Sequence, residues 1–570
     1  MVSNISVSAS KKDKFFLSNN YSIEKFAKNI ETVNKAYPIF LSKISSELNK
    51  VHNIKWNKKI WEIIIGYWLK RYLMVILDRL SILKKNKKNF FINSFYQTKS
   101  KMSLLPSTIN DFTTKSLSKE WNEEIFNRIF NYKLKKKKKY LLNLEKSFAR
   151  KKSTNIIHTL KVKVLNFLTN LYVFTFCKKS GVIISTPYFG NKLKFIFFLI
   201  KLKEFPIIYY LDNSPLNCSH SKKIRKNFDL KLNKNEFYKV ASTLVSECIP
   251  KSYVEGFRDI LKRINKSSLP LEKKIIFTSN IENDSIFKFW VALQKNKGGK
   301  LILAQHGGGF NYFKLESKRD YELSISDKYL SYGWTYKKFK KKIMKFSIIN
   351  NYAFEEKSLF KDNVSIIMSG YDDFISFPSI HNYQLIKKNN SYTELNEISN
   401  ILNILNTDIK KKIIIRPHPS KYRVPLTDFE SNFKKVIKID NKFQIPLSKL
   451  LRSSQVNFIP RMSSTLFSYC LSKNFPTVTL LPINTKNHLD NNLRKIVNIL
   501  VKVGICHYNY ISLSKFIEEN FNKFSYWWLS QSTQEARKLY CNHYANNLPN
   551  KIDLLAKIIL DEKKNLNEKN

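Results

Sequence analysis

Glycine is scarce in this chain, which contains only 12 glycines among 570 residues. Neither the GxxxxGK[ST] pattern of a P-loop nor the GxGxxG pattern of a dinucleotide site occurs. The first absence excludes a Walker-type phosphate loop, and the second leaves a nicotinamide or flavin site without support. Three glycines nevertheless stand in a row, Gly307, Gly308 and Gly309, so their loop has a special need for bare backbone.

Cysteine is also rare, with six residues and no CxxC spacing. This distribution excludes a zinc ribbon and a disulfide scaffold, and it fits a reducing cytosol. A DxD metal motif in a strand-end context is missing as well. The "YDDF" segment 371–374 is interpreted as a loop, with substrate contact as the alternative. We therefore expect no bound metal and no cofactor.

Acidic residues are few, 44 against 100 lysines and arginines, which gives a formal net charge of +56. Such an excess is typical of proteins that meet nucleic acid or an anionic membrane. Two interpretations stay open. The chain is rich in Lys, Asn, Ile and Phe, so the lysines could reflect an AT-rich genome, or they could contact a membrane that carries a lipid-linked acceptor. No nucleic-acid motif is present, so we expect no nucleic-acid partner.

Long apolar runs are absent. The longest stretches, near 164–176 and 193–202, are interrupted and shorter than the roughly 18–20 residues that a membrane helix needs. The N-terminus has no apolar segment after a basic start, so no signal peptide is predicted. We expect the protein to lie in the cytoplasm. If it binds the anionic cytoplasmic membrane, we expect it to do so peripherally.

Short β-rich runs alternate with helical stretches from about residue 180 onward, which indicates βαβ units and parallel sheets. The predicted strands are 181–185, 206–211, 274–280, 300–305, 328–333, 364–370, 412–419, 455–460 and 477–482. The fold class is therefore α/β, with two Rossmann-like, doubly wound domains that face a cleft and a helical N-terminal region containing a buried helix at 60–83.

Four units follow from this pattern. We expect a helical region at 1–105, a first Rossmann-like domain at 106–345, a second at 346–545, and a C-terminal helix and tail at 546–570. A basic run at 132–153 is interpreted as a solvated helix face or as a patch that meets the membrane or the acceptor.

The triple glycine closes the stretch "LILAQHGGGF" (301–310), in which a predicted strand runs directly into Gln305 and His306. Glycines just past the carboxyl end of a parallel strand let backbone N–H groups approach a ligand. The alternative is a tight structural turn with a surface histidine. Asn280, at the end of the 274–280 strand, is counted with Gln305 and the glycines as substrate-binding.

Two acids follow the loop in "YELSISDKYLSYGW" (321–334). Glu322 and Asp327 are candidates for a general base or for a contact to ribose hydroxyls. A helix-capping acid and a surface acid are the ordinary alternatives. His306 and Glu322 are the predicted catalytic residues, and Asp327 is predicted to bind substrate.

The second half contains two candidate phosphate sites. In "KIIIRPHP" (412–419), prolines fix the backbone around Arg416 and His418, and an arginine with a histidine at a strand end suits a phosphate. In "FIPRMSSTLF" (458–467), Ser463, Ser464 and Thr465 fall where a helix begins, a position that binds anions or simply caps the helix.

Several of these motifs occur together in a fixed order: "LNKVHNIKWNKKIWEIIIGYWL", "IIFTSN", "AQHGGGF", "YELSISDKYLSYGW", "RPHP" and "SST…NFPTV". The set resembles a family of bacterial surface-carbohydrate transferases associated with O-antigen biosynthesis, over about residues 40–545. More remotely it is similar to capsule Kdo transferases, polysialyltransferases and CDP-glycerol glycerophosphotransferases. The resemblance implies a GT-B fold, a C-terminal nucleotide domain and a CMP-activated sugar as donor.

The sequence also departs from this family pattern. Asn311 and Tyr321 stand where the family often has glycine and histidine, and Pro460 and Ser468 stand where it has acids. The acid missing at Ser468 is a usual ribose acceptor, which keeps an inactive scaffold of a polysaccharide assembly complex open as an alternative. The main interpretation is a metal-independent glycosyltransferase (EC 2.4 type) that moves a sugar from a nucleotide-activated donor to a glycan or lipid-linked glycan. A transferase for CDP-linked glycerophosphate is a further alternative.

Overall fold

A computed structural model gives the architecture of the chain as two parallel β-sheets with helices around them. The residues that it describes are 22–85, 104–133, 181–186, 189, 192–203, 206–209, 216, 218–267, 269–270, 272–282, 284–349, 359, 361–370, 374–381, 393–419 and 427–568.

The first sheet contains six strands in the order β2-β1-β3-β4-β5-β6, and all neighbouring strands pair in parallel. Their bounds are β1 Val182–Ser185, β2 Ile207–Tyr209, β3 Ile275–Thr278, β4 Lys300–Ala304, β5 Lys328–Ser331 and β6 Ile343–Lys345. The central strands are rich in Ile, Leu and Phe and are buried on both faces, as a parallel sheet covered by helices requires.

The second sheet also has six parallel strands, in the order β12-β11-β10-β7-β8-β9. Their bounds are β7 Asn363–Ile367, β8 Ile413–Arg416, β9 Lys438–Ile439, β10 Ser454–Ile459, β11 Thr477–Leu480 and β12 Cys506–His507. Counted within this sheet, the order is 3-2-1-4-5-6, which is the order of a Rossmann nucleotide-binding sheet.

Twenty α-helices and four short 3₁₀ turns lie in the described part of the chain. The helices that precede β3 are α1 Ile23–His52, α2 Lys58–Lys85, α3 Ile109–Ser116, α4 Lys119–Lys133, α5 Lys192–Leu202, α6 Lys222–Arg225, α7 Glu236–Cys248 and α8 Phe257–Lys266. The later helices are α9 Ser285–Asn296, α10 Ser317–Ile325, α11 Thr393–Ile404, α12 Thr407–Lys411, α13 Thr427–Phe433, α14 Leu447–Ser453, α15 Thr465–Ser472, α16 Asn491–Lys502, α17 Tyr510–Asn520, α18 Phe524–Leu529, α19 Gln531–Tyr544 and α20 Lys551–Asn567. The 3₁₀ turns are Lys226–Phe228, Lys251–Tyr253, Lys337–Phe339 and Ile483–His488.

Helix α2 is the central helix of the N-terminal region. It packs against α1 and against α7, α9 and α10 of the first sheet's helical layer. Apolar side chains cover nearly all of its surface, and even Asp78 and Arg79 are fully buried, where they form an ion pair of 2.7 Å. The helix predicted at 60–83 is thereby confirmed, and it joins the N-terminal region to the first sheet in one core.

The C-terminal helix α20 returns to the first sheet. It packs against α5 and against β3 and β4, although the second sheet precedes it in the chain. Leu555, Ala556 and Ile559 share a buried cluster with strand residues of the first sheet. None of the described helices combines the length and the low polarity that crossing a membrane requires.

The α/β class with two Rossmann-like domains and a helical N-terminal region is confirmed, and each predicted strand is present with both ends within three residues of the prediction. The short edge strands β6, β9 and β12 were not predicted. Most of the basic run 132–153, the apolar stretch 164–176 and residues 371–373 of "YDDF" lie outside the described residues. The four domain boundaries stay predictions.

Candidate active site

The two sheets present their carboxyl ends to each other. In a doubly wound sheet, ligands bind where the strand order reverses, next to the carboxyl ends of the strands. In the first sheet this point lies between β1 and β3, and in the second it lies between β7 and β10. Asn280 follows β3, the glycine loop follows β4, and Ser463 follows β10, so these predicted residues lie around one cleft.

The glycine loop lies directly against the turn that follows β10. A Cβ atom added to Gly308 would lie 2.9 Å from the Ser464 carbonyl oxygen and 2.9 Å from the Thr465 Cα. A Cβ on Gly309, which has φ +79°, would lie 2.8 Å from the Ser463 carbonyl oxygen. The Gly308 N–H donates to Thr465 Oγ1 at 2.9 Å. The bare backbone therefore lets the two halves of the protein touch.

Gln305 fixes the shape of this loop. Its buried side-chain oxygen accepts from the Tyr332 N–H at 3.0 Å and from the Trp334 indole N–H at 2.7 Å. Its side-chain nitrogen donates to the Gly307 carbonyl at 2.6 Å. These bonds join the loop after β4 to the loop after β5, so Gln305 acts on the loop rather than on the open cleft.

His306 is half-buried beside a lysine. Its Nε2 atom lies 3.1 Å from Lys318 Nζ, and its ring meets Phe310 edge-on. Burial, reinforced by the Lys318 charge, lowers the pKa of His306 from 6.5 to about 3. The imidazole is therefore neutral at pH 7, and its Nε2 atom accepts a hydrogen bond from the ammonium group.

Two buried glutamates complete this cluster. Glu282 forms an ion pair of 3.0 Å with Lys318, and this charge holds the pKa of Glu282 below its usual range although burial acts in the opposite direction. Burial and the neighbouring Glu282 carboxylate raise the pKa of Glu322 well above its usual range. This raised pKa favours the neutral form of Glu322, whose side chain accepts from the Tyr329 hydroxyl at 2.8 Å.

Two further cations lie next to this cluster. Lys288 is fully buried and donates to the Glu282 carbonyl at 2.8 Å, and burial lowers its pKa only to about 8. Arg71 donates to the Tyr67 hydroxyl at 3.0 Å and to Ser376 of the second half at 3.0 Å. With Lys318 there are three cations, and the carboxylates that act on Lys288 are those of Glu282 and Asp284. The remaining positive charge favours an anion at this end of the cleft.

The second half contributes a histidine that the sequence analysis missed. His381 Nδ1 lies 2.5 Å from Ser463 Oγ, and burial lowers the pKa of His381 to about 4. Ser464 caps α15 by accepting from the Leu466 N–H at 3.2 Å. Nothing in the sequence around His381 points to a site. Glu282, by contrast, follows the predicted strand 274–280 by two residues, which is a usable signal.

Other predicted residues have different surroundings. Arg416 forms an ion pair of 3.0 Å with Asp440 and donates to the Ile445 carbonyl, which turns its guanidinium toward β9, and His418 is exposed. Asp327 lies at the amino ends of β4 and β5, where it accepts from the Leu301 N–H at 2.7 Å and pairs with Lys295. That edge is opposite to the His306 edge, so the structure does not bring Asp327 to the cleft.

Asn280 lies at the cleft but shapes a turn. Its side-chain oxygen accepts from the Glu282 N–H at 3.0 Å, and its N–H donates to Thr278 Oγ1 at 3.1 Å. These bonds set the direction of Glu282. Within the described residues, no three His, Cys, Asp or Glu side chains gather as a metal site would require.

Ser468 belongs to a buried group of hydroxyls. Its Oγ atom lies 2.8 Å from the Tyr540 hydroxyl and 3.2 Å from the Tyr312 hydroxyl, and the two tyrosines also contact each other. Tyr312 comes from the first half, Ser468 from α15 and Tyr540 from α19. The group joins the halves, and it explains why a small neutral side chain fits this position.

The two strand orders and their facing carboxyl ends define an α/β protein with two Rossmann-like sheets. A family model described as LIC12162 family transferase matches residues 6–559, and the chain belongs to this family. It is therefore a transferase, which confirms the resemblance at that level. No curated protein matches the sequence.

Two solved structures are similar over most of the chain. The wall teichoic acid polymerase TagF with CDPG is 11% identical, has a TM-score of 0.32, and covers 72% of this chain and 97% of its own. The spinosyn rhamnosyltransferase SpnG complexed with thymidine diphosphate is 9% identical, has a TM-score of 0.32, and covers 66% of this chain and 99% of its own.

Proposed function

We propose that this transferase moves a sugar from a nucleotide-activated donor, with a CMP-linked sugar as the first candidate, to a surface polysaccharide or O-antigen acceptor. The acceptor is a glycan or lipid-linked glycan, and the reaction takes place in the cytoplasm at the inner face of the membrane. The observation that supports this proposal is the cluster of His306, Lys318 and Glu282, with the cations Lys288 and Arg71 beside it, opposite Ser463 at the facing carboxyl ends of two Rossmann-like sheets.

The donor phosphate binds at the start of α15 in this proposal. Backbone N–H groups of the first turn and the hydroxyls of Ser463, Ser464 and Thr465 are the anion-binding groups of a helix N-terminus. Lys318 lies in the other half, and its charge stabilises the leaving phosphate without a metal ion in this proposal. Arg416 and His418 contact the nucleotide after the Asp440 ion pair has opened.

His306 is the better candidate for the general base. Burial and the neighbouring Glu282 raise the pKa of Glu322 and so favour its neutral form, which has no free carboxylate to accept a proton. The neutral imidazole of His306 has a lone pair on Nε2, which accepts the proton of the acceptor hydroxyl once that hydroxyl replaces Lys318. The nearby Glu282 carboxylate stabilises the imidazolium that forms.

Donor binding requires the glycine loop to separate from α15. In the present arrangement Gly308 and Thr465 are hydrogen-bonded, and the Ser463 hydroxyl is held by His381. We propose that the two halves open to admit the nucleotide and close again over it, a common gating step in transferases with a cleft.

Release of free nucleotide from CMP-, CDP-, UDP-, GDP- and dTDP-activated sugars, in the presence of a lipid-linked glycan fraction, tests the proposed reaction. We expect turnover of one donor, and a loss of about 10²–10⁴-fold in His306→Asn as for other general bases. His488→Asn, outside the cluster, is the matched control. Turnover that His306→Asn leaves unchanged would contradict the assignment of the base.

Two alternatives share this site. An inactive scaffold is favoured by the observation that Ser463, Thr465 and Arg416 are all engaged by protein groups, and such a protein would bind no nucleotide. A transferase for CDP-linked glycerophosphate would turn over only that donor, so adding CDP-glycerol to the panel separates it from a sugar transferase.

A further inference from the structure

One helix of the first domain carries an exposed apolar stripe. In α5 the side chains of Leu193, Ile196, Phe197 and Ile200 have exposed fractions of 73%, 52%, 46% and 65%. Their spacing of three, four and seven residues places them on one face of the helix. Four large apolar side chains together on a helix surface indicate a contact with something else.

The opposite face of the same helix is buried in the protein. Phe198 and Leu202 are fully buried, and Phe195 and Leu199 pack against the same cluster, which also includes Leu555 of α20. This face also follows the three, four and seven spacing. Helix α5 is therefore anchored by one apolar face while it presents a second one outward.

Lysines lie beside the exposed stripe. With about 100° between successive residues, Lys194 and Lys201 lie on one flank of the stripe, and Lys203 directly follows the end of the helix. The Lys201 ammonium lies 5.2 Å from the centre of the Phe197 ring and pairs with Asp553 at 2.9 Å. An apolar stripe with lysines beside it and at the helix end is the pattern of helices that lie in a membrane interface.

We propose that this face of α5 docks on an anionic phospholipid surface, with the apolar stripe between the acyl chains and the lysines at the phosphate groups. Charge complementarity selects this partner, because each lysine near an anionic leaflet strengthens binding. Helix α5 follows β1, so it starts at the edge of the sheet where the His306 loop lies. Docking would hold the cleft next to the membrane. The proposal concerns lipid binding alone and does not rest on the transferase reaction.

Flotation with vesicles tests this surface on the full-length protein. We compare vesicles of phosphatidylcholine alone with vesicles that also contain phosphatidylglycerol, for the wild type and for the double variant Ile196→Glu/Phe197→Glu. The matched control is Ile511→Glu/Leu529→Glu, which adds the same charge at positions with exposed fractions of 59% and 60% on other helices. Unchanged thermal unfolding of both variants shows that they fold.

The wild type is expected to float with the anionic vesicles, and raised salt should weaken this binding. The α5 variant should bind at least about tenfold more weakly, because two large apolar side chains no longer enter the bilayer, while the control binds as the wild type does. Wild-type protein that ignores anionic vesicles would overturn the proposal. An α5 variant that floats normally would also overturn it. A variant that loses only self-association would assign this face to a second copy of the chain, and one that loses its folded state would assign it to the chain's own core; both results would overturn the proposal.

Discussion

Substituting Gly308 with alanine tests whether the two halves are held together at the glycine loop. The added Cβ would lie 2.9 Å from two backbone atoms of the facing turn, the Ser464 carbonyl oxygen and the Thr465 Cα, so the loop or the turn must move. Overpacking against rigid atoms costs about 1–3 kcal/mol, and losing the Gly308 hydrogen bond to Thr465 costs about 1 kcal/mol. We expect a loss of about 2–4 kcal/mol of stability.

Urea unfolding followed by tryptophan fluorescence measures this loss as a shift of the midpoint. Gly307→Ala is a matched control in the same loop, because its Cβ would meet only the rotatable Thr465 hydroxyl, at 3.1 Å. It should lose less than about 1 kcal/mol. Equal midpoints for Gly308→Ala and the wild type, or equal losses for the two variants, would refute the reasoning.

The same variant separates two roles of the glycines. If the closed contact must open before the nucleotide binds, weakening it raises the fraction of molecules that are competent to bind. Gly308→Ala should then bind the nucleotide more tightly, by up to about tenfold, while it unfolds more easily. If the bare backbone instead serves to let its N–H groups approach a ligand, both affinity and stability should fall.

Three further predictions concern buried polar groups. Glu282→Gln removes the counter-charge of a buried lysine and should cost about 3 kcal/mol in urea unfolding. Glu322→Gln replaces a carboxyl group whose raised pKa favours its neutral form, so it should cost less than about 1 kcal/mol. Burial lowers the pKa of His507 to about 4, so the folded protein loses stability relative to the unfolded chain as the pH falls from 6.5 toward 4. Between pH 7 and 5 the free energy of unfolding of His507→Gln should therefore fall by about 2 kcal/mol less than that of the wild type. Tyr540→Phe leaves two buried hydroxyls with one partner fewer and should cost about 1–2 kcal/mol, whereas the 80% exposed Tyr526→Phe should cost nothing measurable.

Each of these predictions has a clear contradicting result. Equal losses in Glu282→Gln and Glu322→Gln would mean that both carboxylates are charged. An unchanged pH dependence in His507→Gln would show that this histidine titrates normally in the folded protein. If Tyr540→Phe unfolds at the same urea concentration as the wild type, the hydroxyls of Tyr312 and Ser468 must reach water when the Tyr540 hydroxyl is removed.

The strands of both sheets could be predicted because buried parallel strands have a direct signature. Runs such as "KIIIR" and "QVNFI" are short, rich in branched residues and followed by a turn, and each forms a strand at 413–416 or 454–459. The edge strands β9 and β12 have only two residues each, so they carry no periodic pattern. Their position depends on pairing with a neighbour that is distant in the sequence.

The location of the cleft could also be predicted, since it follows from strand ends alone. His306 and Ser463 both come directly after a strand, and the parallel topology brings those ends to one edge of each sheet. The partners of His306 could not be predicted in the same way. Lys318 lies 12 residues further along on α10, and His381 comes from the other half of the protein.

Asp327 was predicted to lie in the same site as Glu322, and the structure places it elsewhere. Five residues after Glu322, it looked like a second acid of the same site. The helix ends at Ile325, however, and the chain then enters β5 at its amino end, which carries Asp327 to the far edge of the sheet. Spacing along the sequence does not say at which end of a strand a residue falls.

The most direct test of the account is the thermal unfolding of the wild type with CMP, CDP, UDP, GDP and dTDP, repeated with Ser463→Ala and with the matched control Ser472→Ala at the other end of α15. A nucleotide that binds only the folded protein must raise its melting temperature. We predict a rise with one cytidine nucleotide that Ser472→Ala retains and Ser463→Ala loses. No rise with any of the five nucleotides, or an equal rise in both variants, would contradict a nucleotide site at the start of α15.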